Sequence, residues 1–385
     1  MDNAQLKLLP PTFEPFSPSD SLEQIAVLMS GGVDSSVTAM LLKDAGWDVL
    51  GITMKIPLAQ QCNHPSPCCG TQAAFICDQL DIPHYFLDVE QAFHKFVIEP
   101  FRRAYDQGWT PCPCVDCNTF LKFTLVWDFL EATFGIRHLA TGHYARLIQS
   151  NGHSCLARSN DNSRDQSYFL HGISAHRLDR LVLPLGELTK QKVRSLARTR
   201  GLNVADRPDS MELCFAGQGN YRDALGPQAA PHPGPILDSD GKVLGQHQGI
   251  FNYTLGQRRG LGIAFTEPLY VTRICPGDNS VILGTRQELY RRDVHMTQVN
   301  TFLPDELQPG RQLFGQIRSP GQACLCTVLQ VGPQTTVKFN EPQFAPCPGQ
   351  RLVLYNYCQT VVAGGIITHA DNPATLLPTD SPGAA

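Results

Sequence analysis

Seven residues, Ser30-Gly31-Gly32-Val33-Asp34-Ser35-Ser36, constrain this chain more than any other stretch. The apolar run Ile25-Ala26-Val27-Leu28-Met29 precedes them, short and β-branched enough to be a buried parallel strand. Val37-Thr38-Ala39-Met40-Leu41-Leu42-Lys43 follows, with its apolar positions at helical spacing. A Gly-Gly turn between a strand end and a helix start points backbone N–H groups outward at the positive end of the helix dipole. That makes an anion site, above all for phosphate. No lysine follows the glycines and the G-x-x-x-x-G-K-[ST] spacing is absent, so this is not a Walker-type loop. The plain alternative is a strand–turn–helix without a ligand. The coincidence of Ser, Asp and two Gly at one topological point favours phosphate.

Around this loop, residues 24–205 alternate strand and helix: strand Asp48–Met54, helix Thr71–Leu80, strand His84–Val89, helix Asn118–Phe134, strand His138–Thr141. The rhythm predicts a parallel α/β sheet with its ligand at the carboxyl ends of the strands. After residue 210 come short strands and glycine turns. Tyr270–Ile274 and Ser280–Leu283 flank a hairpin turn, and Cys324–Val331, Thr335–Phe339, Arg351–Tyr355 and Val361–Ile367 predict a small antiparallel barrel. The expected organisation is a flexible leader over 1–22, an α/β domain over 23–210, a small mostly-β linking domain over 211–290, a β-barrel over 291–369 and a flexible tail over 370–385. The length of 385 residues suits two or three domains, and 42% hydrophobic with 17% charged residues is the composition of a soluble globular protein. The first twenty residues lack a basic, then apolar, signal pattern, and no apolar run approaches the ~20 residues that span a bilayer. The expectation is a cytoplasmic protein whose fourteen cysteines are thiols or ligands rather than a disulfide framework.

Three of those cysteines crowd into Cys112-Pro113-Cys114-Val115-Asp116-Cys117, just ahead of the expected helix at Asn118, where a thiol has a lowered pKa and is a better nucleophile. Cys214 lies far off, in Met211-Glu212-Leu213-Cys214-Phe215 at the end of the α/β pattern. From the residues alone Cys114, Cys117 and Cys214 read as redox-active nucleophiles, as ligands of an iron–sulfur or zinc centre, or as inert small hydrophobes. A zinc site would want a fourth ligand, which Cys62, Cys68, Cys69 or His64 could supply; a solvated loop explains those four equally well. Thr141-Gly142-His143-Tyr144 closes a strand, where a glycine lets a nucleotide approach the backbone. Net charge is −4, so nucleic acid would be held by local patches. Two candidates are Lys190–Arg207, with six basic residues and one acid, and Arg258 with Arg259 in Leu255–Gly262. A solvated helix face and a solvated turn compete with both.

The Ser30–Ser36 loop resembles the pyrophosphate loop of enzymes that cleave ATP between the α and β phosphates. Further stretches are shared with one family: Met54-Lys55, Thr141–Tyr144, Asp165-Gln166-Ser167-Tyr168-Phe169-Leu170, Leu185–Leu188, Cys214-Phe215, His247–Gly249, Leu255–Gly262 and Pro348–Gln350. In that order and spacing the chain resembles the tRNA-specific 2-thiouridylases, bacterial enzymes that put sulfur on the wobble uridine. The resemblance implies an adenine nucleotide hydrolase-like α/β fold and a transferase that uses ATP and Mg²⁺. It implies ATP at Leu28, Met29, Ser30, Gly31, Gly32, Val33, Asp34, Ser35, Met54 and Gly142. Cys214 would carry a persulfide from a cysteine desulfurase or sulfur-relay protein, and Cys117 would be the second thiol, releasing sulfide or closing a disulfide with Cys214. Cys112, Pro113 and Cys114 would lie near the target base, and His143, Arg164, Asp165, Gln166, Arg318, Ser319 and Gln350 would contact tRNA. The enzyme would be a monomer.

The chain departs from the family pattern at Cys112 and Cys114, where many members carry Asn and Asp, and at Ser319, where an aromatic residue is frequent. Cys114, Cys117 and Cys214 together resemble the three-thiolate set of related tRNA thiolases that hold a four-iron cluster. Two further readings share parts of the pattern: an ATP pyrophosphatase that ligates or amidates a small molecule, which has no need of Cys117 and Cys214, and a non-catalytic RNA-binding protein with a zinc-stapled loop.

Overall fold

The computed structural model describes residues 6–11, 23–57, 70–150, 152–209, 213–215 and 231–369. They fall into two compact units, one holding the described residues of 6–97 and 114–215, the other those of 98–113 and 231–369. Cys62, His64, Cys68 and Cys69, most of the expected leader and all of the expected tail lie outside the described residues. No helix among those described is long and apolar enough to cross a membrane.

The first unit is built on β1 (Lys7–Pro11), β2 (Gln24–Leu28), β3 (Asp48–Lys55), β4 (His84–Asp88), β5 (His138–Ala140), the hairpin β6 (Ala145–Ser150) and β7 (His153–Arg158), and β8 (Leu181–Val182). Six of these form one sheet in the spatial order β1, β4, β3, β2, β5, β8. Its pairings are parallel except that of β1 with β4. Ile25, Ala26, Val27 and Leu28 are all buried, as a central parallel strand requires, because both of its faces are covered. β2 has β3 on one side and β5 on the other, so the strand order reverses there and a crevice opens at their carboxyl ends. The helices are α1 (Val33–Asp44), α2 (Thr71–Gln79), α3 (Glu90–Phe93), a second-unit helix α4 (Glu99–Asp106), α5 (Pro113–Asp116), α6 (Trp127–Phe134), α7 (Ser167–Leu170) and α8 (Lys190–Thr199). A π-helical stretch, Cys117–Val126, joins α5 to α6, and Gly135 stops the helix with φ +71°. Thr189 caps α8 by accepting from the Lys192 amide.

Two expectations fail here. Lys7–Pro11, inside the supposed leader, is an edge strand of the sheet. The helix expected from Asn118 begins at Pro113, since proline at the first helical position costs no hydrogen bond and presets φ.

The second unit holds a four-stranded sheet in the order β10 (Val243–His247), β9 (Gly234–Leu237), β12 (Ser280–Gly284), β11 (Tyr270–Cys275). β11 and β12 are the expected hairpin. Ile236, Val271, Val281 and Leu283 fill its core. A closed barrel follows in the order β13 (Tyr290–Thr301), β16 (Gln334–Phe344), β15 (Cys324–Gln330), β14 (Gln312–Gln316), β17 (Arg351–Tyr355), β18 (Val361–Thr368). Closure leaves no open edge, and Met296, Leu313, Val328, Phe339 and Leu352 pack inside. Residues 98–113, which the strand–helix rhythm assigns to the α/β domain, belong to this second unit. Ala104 and Trp109 pack on Ile366 of the barrel. The Thr110 amide donates to the Pro348 carbonyl at 2.8 Å.

Candidate active site

The loop between β2 and α1 is tied by its own hydroxyls. Ser35 Oγ accepts from the Ser30 amide at 3.2 Å and donates to the Gly32 carbonyl at 3.2 Å. Ser36 Oγ donates to the same carbonyl at 2.8 Å. Gly31 has φ +72°, a left-handed turn that favours glycine. Gly142 has a packing reason beside the nucleotide approach that its position implied. A Cβ there would stand 2.9 Å from the Asp34 carbonyl carbon and 2.9 Å from the Ser35 nitrogen. The loop backbone thus presses on this glycine, which also lines the cavity described next.

A cavity of about 210 Å³ opens at the crevice, lined by Leu28, Met29, Ser30, Asp34, Ser35, Ile52, Met54, Lys122, Thr141, Gly142, His143 and Gln166. Seven of the ten residues expected to hold ATP line it; Gly31, Gly32 and Val33 form the turn beneath. His143 and Gln166, expected on tRNA, line it too. Burial, and then the Lys122 charge, depress the His143 imidazole to about 3, so it is neutral and bonds Thr141 Oγ1 through Nδ1 at 2.8 Å.

Beside the cavity lies a charge network. Lys190 Nζ donates to both oxygens of Asp34, at 2.8 and 2.7 Å, and pairs with Asp209 at 2.8 Å. The Tyr144 hydroxyl donates to Asp34 Oδ1 at 2.8 Å. Burial and the Asp34 charge push that phenol above its ordinary pKa. Asp209 also pairs with Arg164 at 2.8 Å and Arg194 at 2.9 Å. Burial would raise this carboxyl, but Lys190, Arg164 and Arg194 together hold it below the usual range.

This network bears on Lys190–Arg207, read either as an RNA-contacting face or as a solvated helix face. Arg198 pairs with Asp206 and Arg200 with Asp44, and the Arg207 guanidinium reaches the Gly31 carbonyl at 3.5 Å. Most of the helix charge is thus committed within the fold.

Cys114 is exposed in the first turn of the helix and Cys117 is buried one turn on. The lowered thiol pKa expected from a helix terminus does not hold for Cys117. Burial pushes it up, with Lys122 pulling down and Asp116 adding to the rise. Asn118 Nδ2 donates to the Phe169 carbonyl at 3.0 Å, and Lys122 Nζ donates to Asn118 Oδ1 at 3.0 Å. Cys214 is exposed, next to Phe215, whose ring meets Phe93 edge-on at 5.7 Å. No disulfide joins Cys117 to Cys214. Among the described residues no three His, Cys, Asp or Glu side chains gather as a metal site, so Cys114, Cys117 and Cys214 as placed do not fit a shared cluster.

Several residues expected on tRNA have intramolecular work. Asp165 is buried, accepting from the Ser159 and Ser167 amides at 3.0 and 3.2 Å and pairing with Arg158 at 3.4 Å. In the second unit, Arg318 donates to the Ala345 carbonyl at 2.8 Å and to that of Phe344, and Ser319 beside it is half-buried. Gln350 Nε2 donates to the Thr110 and Pro111 carbonyls, both at 3.1 Å, fixing the chain just before Cys112. Cys112 is buried and Pro113 opens the helix. Arg258 and Arg259 are exposed in their glycine loop.

Sequence reasoning missed Ile52 and Lys122 in the cavity and Asp209 beside it; Thr141, Tyr144 and Lys190 stood in stretches it singled out, without the roles they take here. Lys122 carried a signal, standing five residues past Cys117. Lys190 carried only a misleading one, a run of like charge.

Models of three successive domains match the chain: a tRNA methyl transferase HUP domain over 23–218, a tRNA methyl transferase PRC-barrel domain over 222–285 and an aminomethyltransferase β-barrel domain over 291–367. The chain is 40% identical over 353 residues to the tRNA-specific 2-thiouridylase MnmA 1 of Syntrophus aciditrophicus, covering 90% of this chain and 93% of that one. It is 41% identical over 373 residues to the tRNA-specific 2-thiouridylase MnmA of Beijerinckia indica, covering 91% and 86%. Against the enzyme of the same name from Lachnoclostridium phytofermentans, identity is 37% over 362 residues, covering 90% and 99%.

Proposed function

Because the chain belongs to the tRNA-specific 2-thiouridylase family, it is a tRNA sulfurtransferase, and we propose that it replaces the C2 oxygen of the wobble uridine with sulfur at the expense of ATP. Family membership sets aside the small-molecule ligase and the zinc-stapled RNA-binding protein. The observation that carries the reading is one cavity lined both by Ser30, Asp34 and Ser35 of the anion loop and by Lys122 of the helix that bears Cys117.

ATP is a substrate here. Met29, Ile52 and Met54 line the apolar side of the cavity, suited to adenine, and the Ser30–Ser35 turn would face the phosphates. Mg²⁺ would come with the phosphates; Asp34 is the carboxylate that lines the cavity, and it would have to share its oxygens between the metal and Lys190. The uridine, turned out of its stack, attacks the α-phosphorus through O2. The O2–P bond forms and pyrophosphate leaves. The outer sulfur of a Cys214 persulfide then bonds C2, and AMP leaves with the O2 electron pair. Cys117 attacks Cys214 Sγ, the persulfide S–S bond breaks toward the transferred sulfur, and a Cys117–Cys214 disulfide remains for a thiol reductant to open. The sulfur comes from a cysteine desulfurase or relay protein, and the enzyme works as a cytoplasmic monomer.

The test is tRNA thiolation with ATP and a persulfide donor, read as 2-thiouridine by mass spectrometry. Cys117→Ser and Cys214→Ser should each leave no product, while Cys114→Ser keeps most of it. Loss of both iron and thiolation in anaerobically prepared Cys114→Ser protein would replace the persulfide pair with the cluster.

A further inference from the structure

The anion loop has no lysine of its own, unlike a Walker loop. The fold brings two lysines to it from elsewhere. Lys190 is committed, its ammonium held by the carboxylates of Asp34 and Asp209 at 2.7 and 2.8 Å. Lys122 is not. It lines the cavity, half-buried, and among the described residues no carboxylate lies within ion-pair distance of it; its hydrogen bond goes to the neutral Asn118 side chain at 3.0 Å. Asn118 is anchored in turn by the Phe169 carbonyl.

The π-helical stretch explains how the ammonium gets there. Its hydrogen bonds run from i to i+5, so Lys122 comes round over Cys117, which an α-helix would carry to another face, while Asn118, four residues back, shares its face in either helix. The charge is felt on both sides of that face, adding to the depression that burial imposes on His143 in the cavity and opposing the burial-driven rise of Cys117. A half-buried cation without a counter-charge beside an anion loop is a site that an anion would complete.

We propose that Lys122 is a catalytic residue whose ammonium binds the non-bridging oxygens of the ATP α-phosphate and stabilises the charge that grows there as O2 of the uridine attacks. This rests on the reading of the cavity as the nucleotide site. Lys122 donates hydrogen bonds to those oxygens and transfers no proton. The same contact then holds AMP as the leaving group while sulfur arrives at C2, from the side of the site where Cys117 stands beneath the lysine. Electrostatic contacts of this kind strengthen as charge develops, so they act on turnover more than on binding.

Two measurements test it. In wild-type protein, ATP with Mg²⁺ should protect Lys122 from reductive methylation, read by peptide mass spectrometry, while exposed Lys192 stays reactive; equal labelling of Lys122 with and without ATP overturns the proposal. Lys122→Met should slow tRNA-dependent AMP formation by about 10²–10³-fold while ATP affinity falls less than tenfold, and Lys122→Arg should restore part of the rate. A purely structural lysine would give an unchanged rate in folded Lys122→Met protein, or an equal loss in rate and affinity, and either result overturns the proposal. Wild-type protein that forms no AMP from ATP and tRNA would instead refute the thiolation reading itself.

Discussion

At the scale of single residues, the loop is shaped by contacts that no local rule describes. Gly142 is an example: a methyl group there meets main chain on Asp34 and Ser35, and main chain cannot step aside as a side-chain tip can. Gly142→Ala should displace the loop at a strain of about 1–3 kcal/mol and weaken ATP binding tenfold or more by calorimetry. Gly277→Ala, with nothing within 4 Å of its Cβ, is the matched control; equal affinities in the two variants would refute the packing account. Lys190 is the second example. Removing its ammonium leaves Asp34 and Asp209 facing a shared, half-dry space without their cation. Lys190→Met should therefore destabilise the first unit by about 2–3 kcal/mol in urea unfolding, as well as lose ATP. A variant of unchanged stability would show that the network is slack. The loop was legible from Ser30–Ser36 alone because an anion turn is a local device; the lysines were not, because they arrive from 87 and 155 residues downstream of Ser35.

At the scale of elements, β3 and β4 are joined by more than their ladder. Thr53 Oγ1 donates to the Met29 carbonyl at 3.1 Å, which uses its one proton, so the 2.8 Å contact with His84 is a bond donated by Nε2 of a neutral ring. Burial depresses His84 to about 4. A folded pKa below the unfolded 6.5 means stability that is present above 6.5 and drains away as pH falls toward 4. The loss should amount to about 3 kcal/mol at the acid end. His84→Gln, which offers an amide N–H to Thr53 without titrating, should flatten denaturation midpoints between pH 6.5 and 4. If the wild-type slope persists in that variant, His84 is not its source. Most strands were readable because alternation or an apolar run is local. The Cys117 helix starts earlier than expected, at Pro113, because proline at a first helical position is favourable.

At the scale of the whole molecule, an acidic chain must hold tRNA by local cations. Several obvious ones have partners within the fold: Arg164 pairs with Asp209, Arg318 donates to two carbonyls, and Arg194 and Arg198 of α8 pair with Asp209 and Asp206. Arg258 and Arg259 stay exposed. Their joint replacement by Ser should lower tRNA affinity, leave the melting temperature alone and flatten the salt slope by about 2; Arg318→Ala should instead lower the melting temperature. The reverse pattern would return Arg318 to the RNA. What the sequence determined by itself was the order of parts: an anion loop in a parallel sheet, a junction bearing a cysteine, and a barrel, all signalled by residues close together in the chain. Tertiary structure alone decided which charges remain available. Whether a lysine is neutralised, as Lys190 is, or left facing a cavity, as Lys122 is, depends on carboxylates and carbonyls contributed by distant elements. Burial likewise decided that His143 is neutral and that Cys117 is a harder acid to ionise than its place on a helix implied, because desolvation is a property of everything packed around a group.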